Sequence, residues 1–287
     1  KFFLNFFRAR SFGEKIKILS SFKPGYSMPV PPSPKEPSTG LTMGQHCEIT
    51  AKEFGIKRES QDEIALKSHQ HAASAESAGY LKEEICEFSG ISRDTIVRKD
   101  TSLEKLSKLK PVFDRSDKGT ITAGNSSPLT DGASVVALMS EEEAKKNNLE
   151  CLGFVEGIEF SGIKPDDGLL MAPALAVPNL LKKLSLKISD IDVFEVHEAF
   201  GAQVLANMKA WENGWSKYEE ATAIGAIPRD KLNVNGGSIA IGHPFAATGG
   251  RLILSICNEL KRKNLKKGLI SVCAAGAMAG AVVISRE

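Results

Sequence analysis

Residues 233–251, with the sequence NVNGGSIAIGHPFAATGGR, decide how the rest of the chain is interpreted. Their five glycines permit backbone conformations and close approaches that a Cβ would prevent. His243 lies between these glycines, so the stretch predicts a tight turn that presents an imidazole to a ligand. The apolar residues 252–257 then have helical spacing, and the apolar run 268–273 predicts a strand. We therefore expect loop, helix and strand in that order, an arrangement that brings Cys273 close to His243.

The composition is that of an ordinary globular protein. The chain has 287 residues, 42% of them hydrophobic, which is enough for one large domain or two smaller ones. Thirty-seven Lys and Arg against 35 Asp and Glu leave a net charge of +2, which gives no support to nucleic acid as a partner. The five cysteines are widely spaced without a CxxC pair, which favours a reducing compartment and disfavours a zinc site. No apolar run reaches the roughly 18 residues of a membrane-spanning helix.

Residues 2–23 predict a basic amphipathic segment, in which phenylalanines and an Ile/Leu cluster alternate with Arg and Lys. One interpretation is a hairpin that binds a membrane surface or a partner, because apolar rings enter the interface while cations meet anionic headgroups. The other is an amphipathic helix that covers an apolar core. The proline-rich residues 24–40 predict an extended connector. Because the chain begins with Lys, we expect that a targeting segment or more precedes it.

Helical and strand patterns alternate along the remaining chain, and Thr42 is the predicted cap of the first helix. The predicted helices cover 43–54, 58–78, 174–184 and 203–211, and the predicted strands or β-rich runs cover 120–125, 151–158, 191–196 and 278–285. The last strand is expected to pair with residues 269–273. The small apolar residues 131–139 are typical of a buried segment.

Polar residues outside the glycine-rich stretch have competing interpretations. His69 and His71 cannot share one helix face, which disfavours a metal site there. The lysines of residues 105–110 are either a solvated helix surface or a cationic shelf for the phosphates of a bulky ligand. His197 follows a predicted strand at a strand-to-helix junction, where αβ proteins often place functional groups.

The residue types at the predicted site allow more than one chemistry. His243 and Cys273 suit a nucleophile and base pair or a base and acid pair, with nearby small residues leaving backbone amides free for an oxyanion. His197 suits a donor to a carbonyl oxygen, directly or through water. A metal held by His197, His243, Cys273 and a carboxylate is the other possibility, which the absence of short ligand spacing such as HExxH disfavours.

Four separated motifs resemble thiolases in their order and spacing. They are VHEAF at 196–200, NVNGG at 233–237, IGHP at 241–244 and CAAG at 273–276. The resemblance extends from about residue 40 to the end of the chain. Many thiolases have Asn at the position of His197. In having His there, the chain resembles the β-subunit of the mitochondrial trifunctional protein and its bacterial counterparts, and the basic N-terminal segment also resembles the membrane-facing insertion of that group.

The resemblance implies the α/β thiolase fold, layered α/β/α/β/α, represented here by the loop domain and the C-terminal core domain. Residues 1–119 would form the loop domain with the basic amphipathic segment. Residues 120–150 would form the end of the first core domain, and residues 151–287 the C-terminal core domain. Such a chain would expose the face that the other half normally covers, so we expect that it is not a well-behaved monomer alone.

The resemblance also implies thiolytic cleavage of 3-ketoacyl-CoA by CoA in fatty-acid β-oxidation. His243 would activate the nucleophile and help to bind the thioester oxygen, Cys273 would be the second, proton-shuttling cysteine, and His197 would fix the water of the oxyanion hole. Coenzyme A and acyl-CoA would be substrates, with no permanently bound cofactor or metal. The expected CoA channel contains Met43, Arg98, Phe113, Ser127, Ala199 and Phe200.

Two departures from the thiolase pattern qualify this expectation. The family's nucleophilic cysteine belongs to an N-terminal half that precedes these residues, and neither Cys47 nor Cys86 has its small-residue setting. Ala277 and Ala279 replace two glycines of the last motif, which would add roughly 1 kcal/mol of strain each if φ is positive there.

The expected partners are therefore a companion chain or missing N-terminal half, a second thiolase subunit in a homo- or heterodimer, and a larger mitochondrial assembly in the matrix or at the inner membrane. The alternative is a catalytically inactive, thiolase-like structural subunit. A ketoacyl synthase is disfavoured, because those enzymes usually have histidine where Cys273 stands.

Overall fold

The computed structural model describes residues 2–23 and 35–286. They fall into two units that divide between residues 34 and 35, and each is described by itself. Most of the predicted proline-rich connector, residues 24–34, lies outside the described residues. Among the described helices, none combines the length and apolar character that crossing a bilayer requires.

The first unit contains two short helices, α1 (Phe2–Arg8) and α2 (Phe12–Ser20). Ser11 begins α2 with a capping box, since its hydroxyl accepts the Glu14 N–H at 3.2 Å while the Glu14 carboxylate accepts the Ser11 N–H at 3.3 Å. No residue of α2 is buried. The exposed apolar side chains of this unit are Leu4, Phe7, Phe12, Ile16, Leu19 and Phe22. The predicted amphipathic segment is thus a pair of helices with an accessible apolar surface.

The second unit contains the remaining helices and all described strands. In chain order these are α3 (Met43–Glu53), α4 (Arg58–Ser77), α5 (Leu103–Ser107), α6 (Glu141–Lys146), β1 (Phe154–Gly162), α7 (Pro165–Gly168), α8 (Pro173–Lys183), β2 (Val193–Val196), α9 (Gly201–Asn213), α10 (Ser238–Ile241), α11 (Thr248–Lys263), β3 (Lys267–Ala274) and β4 (Met278–Ser285). Thr42 caps α3 as predicted, because its hydroxyl accepts the Gln45 N–H at 3.2 Å. Every helix predicted from residue 43 onward is present within a few residues of its expected bounds.

A four-stranded sheet in the order β1-β4-β3-β2 forms the centre of this unit. Strand β4 runs antiparallel to both β1 and β3, which confirms the predicted hairpin, whereas β2 and β3 are parallel. The register pairs Val196 with Ser271 and Cys273 with Ala279. The parallel pair matters most for the site, because the carboxyl ends of β2 and β3 meet at one edge of the sheet.

Helices cover both faces of the sheet, and the alternation of side chains along the strands explains how. Phe194, Leu269 and Val283 point to the face that α8 covers with Leu180 and Leu181. Their neighbours along the strands, Val193, Ile270 and Ile284, point to the opposite face. There they pack against Leu252, Ile256 and Leu260 of α11. Trp211 on α9 is fully buried and its indole N–H donates to the Pro173 carbonyl at 2.9 Å. The result is an α/β/α layering, as expected for the second half of the predicted fold.

Two local predictions are wrong. The β-rich run 120–125 forms a turn, since side chains satisfy its backbone: the Glu48 carboxylate accepts the N–H groups of Thr120 and Ile121 at 2.8 and 3.0 Å. Residues 131–139 were expected to be buried, yet Val135 and Leu138 are 85% and 74% exposed. Apolar composition leads to burial only where another element covers the segment, and no described element covers this one.

Candidate active site

The candidate site begins where the parallel strands end. His197 follows β2 directly, and its backbone N–H donates to the Ser271 carbonyl of β3 at 2.9 Å, which continues the ladder. Cys273 lies two residues further along β3. Both residues therefore lie at the same edge of the sheet, and His197 occupies the strand-to-helix junction that the sequence predicted.

The glycine-rich stretch brings His243 to this edge. The His243 N–H donates to the Pro128 carbonyl at 3.1 Å, and the rings of His243 and His197 lie 4.1 Å apart between centroids with 41° between planes. Gly242, with φ +104°, allows this turn, because a Cβ there would lie 2.6 Å from the Thr130 side chain. The predicted presentation of an imidazole from a tight turn is confirmed, and its immediate neighbour is His197.

Hydroxyl groups hold both imidazoles. Nδ1 of His243 lies 2.7 Å from the Thr248 hydroxyl, and Nδ1 of His197 lies 2.9 Å from the Ser238 hydroxyl. Arg251 donates to that same Ser238 oxygen at 3.2 Å. Burial lowers the pKa of His197 well below its usual value, with further lowering from His243 and Arg251. Burial, followed by Arg251, also lowers the pKa of His243, so both rings are neutral near pH 7.

A buried carboxylate fixes the glycine turn beneath the histidines. Glu198 accepts from the Ser68 hydroxyl at 2.6 Å, from the Asn233 amide at 2.6 Å and from the Ile239 N–H at 3.2 Å. A Cβ on Gly237 would overlap the Glu198 carboxylate. Burial raises the pKa of Glu198, although these three donors favour its charged form. The turn and the carboxylate therefore depend on each other.

Asn233 joins this turn to the end of β2. Its amide oxygen accepts the Val196 N–H at 2.8 Å, and its amide nitrogen donates to the Val196 carbonyl at 2.9 Å and to Glu198. The backbone of Asn233 has φ +46°, a left-handed conformation that Asn tolerates better than most residues. The side chain thus acts as an extra strand partner for the residue that precedes His197.

The Cys273 thiol is protonated at rest. Cys273 is 6% exposed, and burial raises its pKa to about 12. Cys47 on α3 belongs to the same apolar cluster, and its pKa is also raised well above the usual value, by burial and then by Cys273. Cys273 therefore suits a proton donor better than a resting nucleophile.

Four of the six residues predicted for a ligand channel are joined by direct contacts or by sequence adjacency. The rings of Phe113 and Phe200 meet edge to face at 5.7 Å, and the Ser127 N–H donates to the Ala199 carbonyl at 2.9 Å. Met43 packs against the same core cluster as Phe113 and Ala199. The remaining residue of the set, Arg98, is exposed and donates only through its backbone N–H, to His69 at 3.1 Å. Within the described structure its guanidinium forms no hydrogen bond or ion pair, so it stays available to an anion.

The proposed lysine shelf is partly neutralised. Lys105 pairs with Asp100, and Lys108 pairs with Glu104. Burial lowers the pKa of His69 to about 4, so this ring adds no positive charge near neutral pH. Over residues 2–23 and 35–286, no group of three or more His, Cys, Asp and Glu side chains is arranged to hold a metal ion.

Sequence reasoning did not find the residues that position the histidines. They are Ser68, Asn233, Ser238, Thr248 and Arg251. Four of them lie inside the glycine-rich stretch, and their closeness to His243 in the sequence is the only feature that could have indicated them. Ser68 comes from α4, far away in sequence, and only the fold reveals it.

Comparisons with known proteins agree with this geometry. The family described as thiolase, N-terminal domain, matches residues 25–142, and the family described as thiolase, C-terminal domain, matches residues 149–286. A protein of Pectobacterium carotovorum subsp. carotovorum (strain PC1) named 3-ketoacyl-CoA thiolase is 44% identical over 286 residues, covering 96% of this chain and 65% of that protein. A protein of Pseudoalteromonas translucida (strain TAC 125) with the same name is 45% identical, with the same coverage of both chains.

Solved structures show the same fold. The Bacillus anthracis acetyl-CoA acetyltransferase superposes with a TM-score of 0.76 at 37% identity, over 88% of this chain and 61% of that one. Human mitochondrial 3-ketoacyl-CoA thiolase in complex with CoA superposes with a TM-score of 0.74 at 33% identity, over 88% and 60%. The chain therefore spans just under two thirds of the length of the proteins it matches.

Proposed function

Because the chain belongs to the thiolase family, we propose that it supplies the histidine-bearing part of a 3-ketoacyl-CoA thiolase active site. The reaction is thiolytic cleavage, in which 3-ketoacyl-CoA and CoA yield acetyl-CoA and an acyl-CoA shortened by two carbons. The main support is the closeness of the His197 and His243 rings, whose centroids lie 4.1 Å apart at the sheet edge where Cys273 also lies. This set combines a base, a hydrogen-bond donor and a buried acid, which are the groups that such a reaction needs.

His243 serves as the base. Its Nδ1 lies 2.7 Å from the Thr248 hydroxyl. This hydroxyl donates a hydrogen bond to the Pro244 carbonyl at 3.3 Å and can at the same time accept one from Nδ1–H of His243. The Nε2 lone pair is then free to accept a thiol proton. The resulting thiolate attacks the 3-keto carbon, and the bond between C2 and C3 breaks to give an acyl-enzyme and the enolate of acetyl-CoA.

Cys273 and His197 act on the two charges that develop. Cys273 gives its proton to C2 of the enolate, which releases acetyl-CoA. The Cys273 thiolate then takes the proton of the incoming CoA thiol as this thiol attacks the acyl-enzyme. The thioester bond to the enzyme breaks, the shortened acyl-CoA leaves, and the nucleophilic thiolate regains its proton from His243. His197 stabilises the enolate oxygen by donating a hydrogen bond through a water molecule. The pKa of about 12 keeps Cys273 protonated until the carbanion forms.

None of the five cysteines in this chain has the properties of the nucleophilic thiol. A thiolase nucleophile must ionise readily, whereas Cys47 is 1% exposed with a raised pKa and burial raises the pKa of Cys257 to about 11. Cys86 and Cys151 are exposed, and no described hydrogen bond joins either of them to His197 or His243. We therefore propose a companion segment or chain that carries the nucleophile and covers the exposed apolar residues 131–139.

The test is CoA-dependent cleavage of acetoacetyl-CoA and of a longer 3-ketoacyl-CoA by the purified native assembly. His243→Ala and Cys273→Ala should each lower kcat/KM by about 10²- to 10⁴-fold, the usual contribution of a general acid or base. Cys86→Ser removes an exposed thiol and should leave the rate unchanged. Thiolysis that survives both site substitutions would contradict the assigned roles.

A second candidate is a structural subunit without turnover. It is favoured by one observation: none of the five cysteines has the setting of a nucleophile. An assembly that contains this chain, has no rapidly alkylated cysteine besides the exposed Cys86 and Cys151, and cleaves no 3-ketoacyl-CoA would establish this role in place of the enzyme.

We also propose that residues 2–23 bind an anionic membrane surface. The segment carries five cations and one acid, Glu14, beside the exposed rings of Phe7 and Phe12. Each cation near an anionic surface contributes about 1 kcal/mol, and the rings add apolar burial. The resemblance to the trifunctional-protein type and the mitochondrial origin of one structural neighbour support a mitochondrial location, in the matrix or at the inner membrane.

Vesicle flotation tests this proposal. The protein should float with vesicles that contain anionic lipid, remain in solution with purely zwitterionic vesicles, and lose binding after Phe7→Ser with Phe12→Ser. Phe88→Ser is a matched control, because Phe88 is 81% exposed but lies outside the segment. Equal flotation with both vesicle types, or loss of binding in the Phe88 variant alone, would overturn it.

A further inference from the structure

Ser238 and Arg251 form a small hydrogen-bonded network on the Nδ1 side of the His197 ring. The Ser238 hydroxyl lies 2.9 Å from Nδ1 of His197 and accepts from the Arg251 guanidinium at 3.2 Å. Ser238 is fully buried and His197 is 1% exposed, so water does not substitute freely for either partner. The arrangement constrains where the single hydrogen of the hydroxyl can point.

We propose that Ser238 and Arg251 are positioning residues that hold His197 in the tautomer with its hydrogen on Nε2. This proposal rests on the proposed thiolase function for its catalytic meaning, but the tautomer is a property of the resting chain.

The donors and acceptors available to Ser238 determine which nitrogen of His197 carries the hydrogen. A guanidinium only donates, so one lone pair of the Ser238 oxygen accepts from Arg251. The hydroxyl hydrogen needs an acceptor, and among the described residues the only one within hydrogen-bond distance is Nδ1 of His197. If Nδ1 instead carried the hydrogen, Ser238 would accept twice and its own hydrogen would be buried without a partner. That loss disfavours the Nδ1–H form by about tenfold or more.

The tautomer has a consequence for the site. Nε2 of His197 makes no hydrogen bond to any described residue, so its hydrogen is available to a substrate oxygen or to a bound water. Glu198 is adjacent in sequence but its carboxylate is occupied by Ser68, Asn233 and Ile239, so it does not compete for the imidazole hydrogen. The same network keeps the positive Arg251 near His197, which opposes protonation of the ring.

Nitrogen NMR of the native assembly, carrying ¹⁵N-labelled histidine in this chain, tests the proposal without turnover. The His197→Asn variant identifies the His197 signals among the five histidines. Wild-type protein should show a protonated Nε2 and an unprotonated Nδ1. Arg251→Met opens the place of the guanidinium, which only donates, to a water that can accept the Ser238 hydrogen, so the preference should fall about tenfold and give a mixed signal. Arg251→Lys, which keeps a donor there, should restore it.

Ser255→Ala is the matched control. It removes a different buried hydroxyl, on α11, which donates to Glu84 at 2.7 Å, and should leave the His197 pattern unchanged. A wild-type spectrum with hydrogen on Nδ1, or with both nitrogens protonated, overturns the proposal even if a variant fails to fold. An unchanged tautomer in both Ser238→Ala and Arg251→Met also overturns it.

Thiolysis measured on the same variants separates this proposal from the proposed function. Ser238→Ala should lower kcat about tenfold with little change in KM, because the donor is disordered rather than removed. The expected NMR pattern without any wild-type turnover would refute the thiolase function and leave the tautomer assignment intact. Turnover with the opposite pattern would refute the assignment alone.

Discussion

Replacing Asn233 with alanine should destabilise the chain far more than its size suggests. The substitution deletes three buried hydrogen bonds: two to the backbone of Val196 and one to the carboxylate of Glu198. It also places an alanine at φ +46°, where Asn is better tolerated. Because Val196 precedes His197, the change should also loosen the histidine edge.

The magnitude can be worked from these contacts. An orphaned buried N–H or carbonyl costs about 1–3 kcal/mol, and the bond to a charged carboxylate contributes about 1.5–3 kcal/mol. The left-handed alanine adds about 1 kcal/mol. Water that enters the space left by the amide recovers part of this, so the expected decrease in the free energy of unfolding is about 3–6 kcal/mol.

Urea denaturation of wild type and variant in the native assembly, at one protein concentration, measures this decrease. Asn213→Ala is the matched control, since Asn213 is exposed at the end of α9 and its amide donates only to the Lys209 carbonyl at 3.1 Å. The control should change the free energy by less than about 0.5 kcal/mol. A decrease below about 1 kcal/mol for the Asn233 variant would refute the assignment of this side chain as an extra strand partner.

Further expectations concern a strained alanine and two buried acids. Ala277 has φ +58°, so Ala277→Gly should stabilise the chain by up to about 1 kcal/mol in thermal unfolding. Ala279 lies within β4, so Ala279→Gly should destabilise the chain by about 0.5–1 kcal/mol. Equal effects of the two substitutions would contradict this expectation. Burial raises the pKa of Glu195 from 4.5 to about 8, so between these pH values the folded chain keeps a proton that the unfolded chain loses. The free energy of unfolding should therefore fall as pH rises from 4.5 to about 8. Glu195→Gln should flatten this pH dependence, and an unchanged curve would refute the expectation. Cys273, with a pKa of about 12, should react with iodoacetamide at pH 8 far more slowly than the exposed Cys86, as peptide mass spectrometry would show; faster labelling of Cys273 would contradict its burial.

The strain expected at the last motif illustrates the limit of motif reading. Sequence comparison with the thiolase pattern suggested that both Ala277 and Ala279 could occupy glycine positions. Only Ala277 has a positive φ, because it ends the turn between β3 and β4, while Ala279 pairs with Cys273 in the ladder. Ala246, in the other loop, also has a positive φ of +65°. Turn geometry decides these values, and residue identity does not reveal it.

The sequence by itself determined the local elements and the three polar groups of the site. Helix and strand periodicity predicted the bounds of α3, α4 and β4, because side-chain spacing reflects which face is buried. The glycine-framed His243, the junction at His197 and the strand-end Cys273 followed from the same patterns. The predicted β-rich run at residues 120–125 was wrong, because side chains and not a neighbouring strand accept hydrogen bonds from its backbone N–H groups.

Only the tertiary structure decided how these groups are held. The parallel pairing of β2 and β3 placed their carboxyl ends together, and the turn at Gly242 set the His243 ring against His197. Ser68 reaches Glu198 across 130 residues of sequence. Hydrogen bonds act over about 3 Å, so their partners are fixed by how elements pack and not by distance along the chain. For that reason the protonation of His197 can be argued from the fold and not from the sequence.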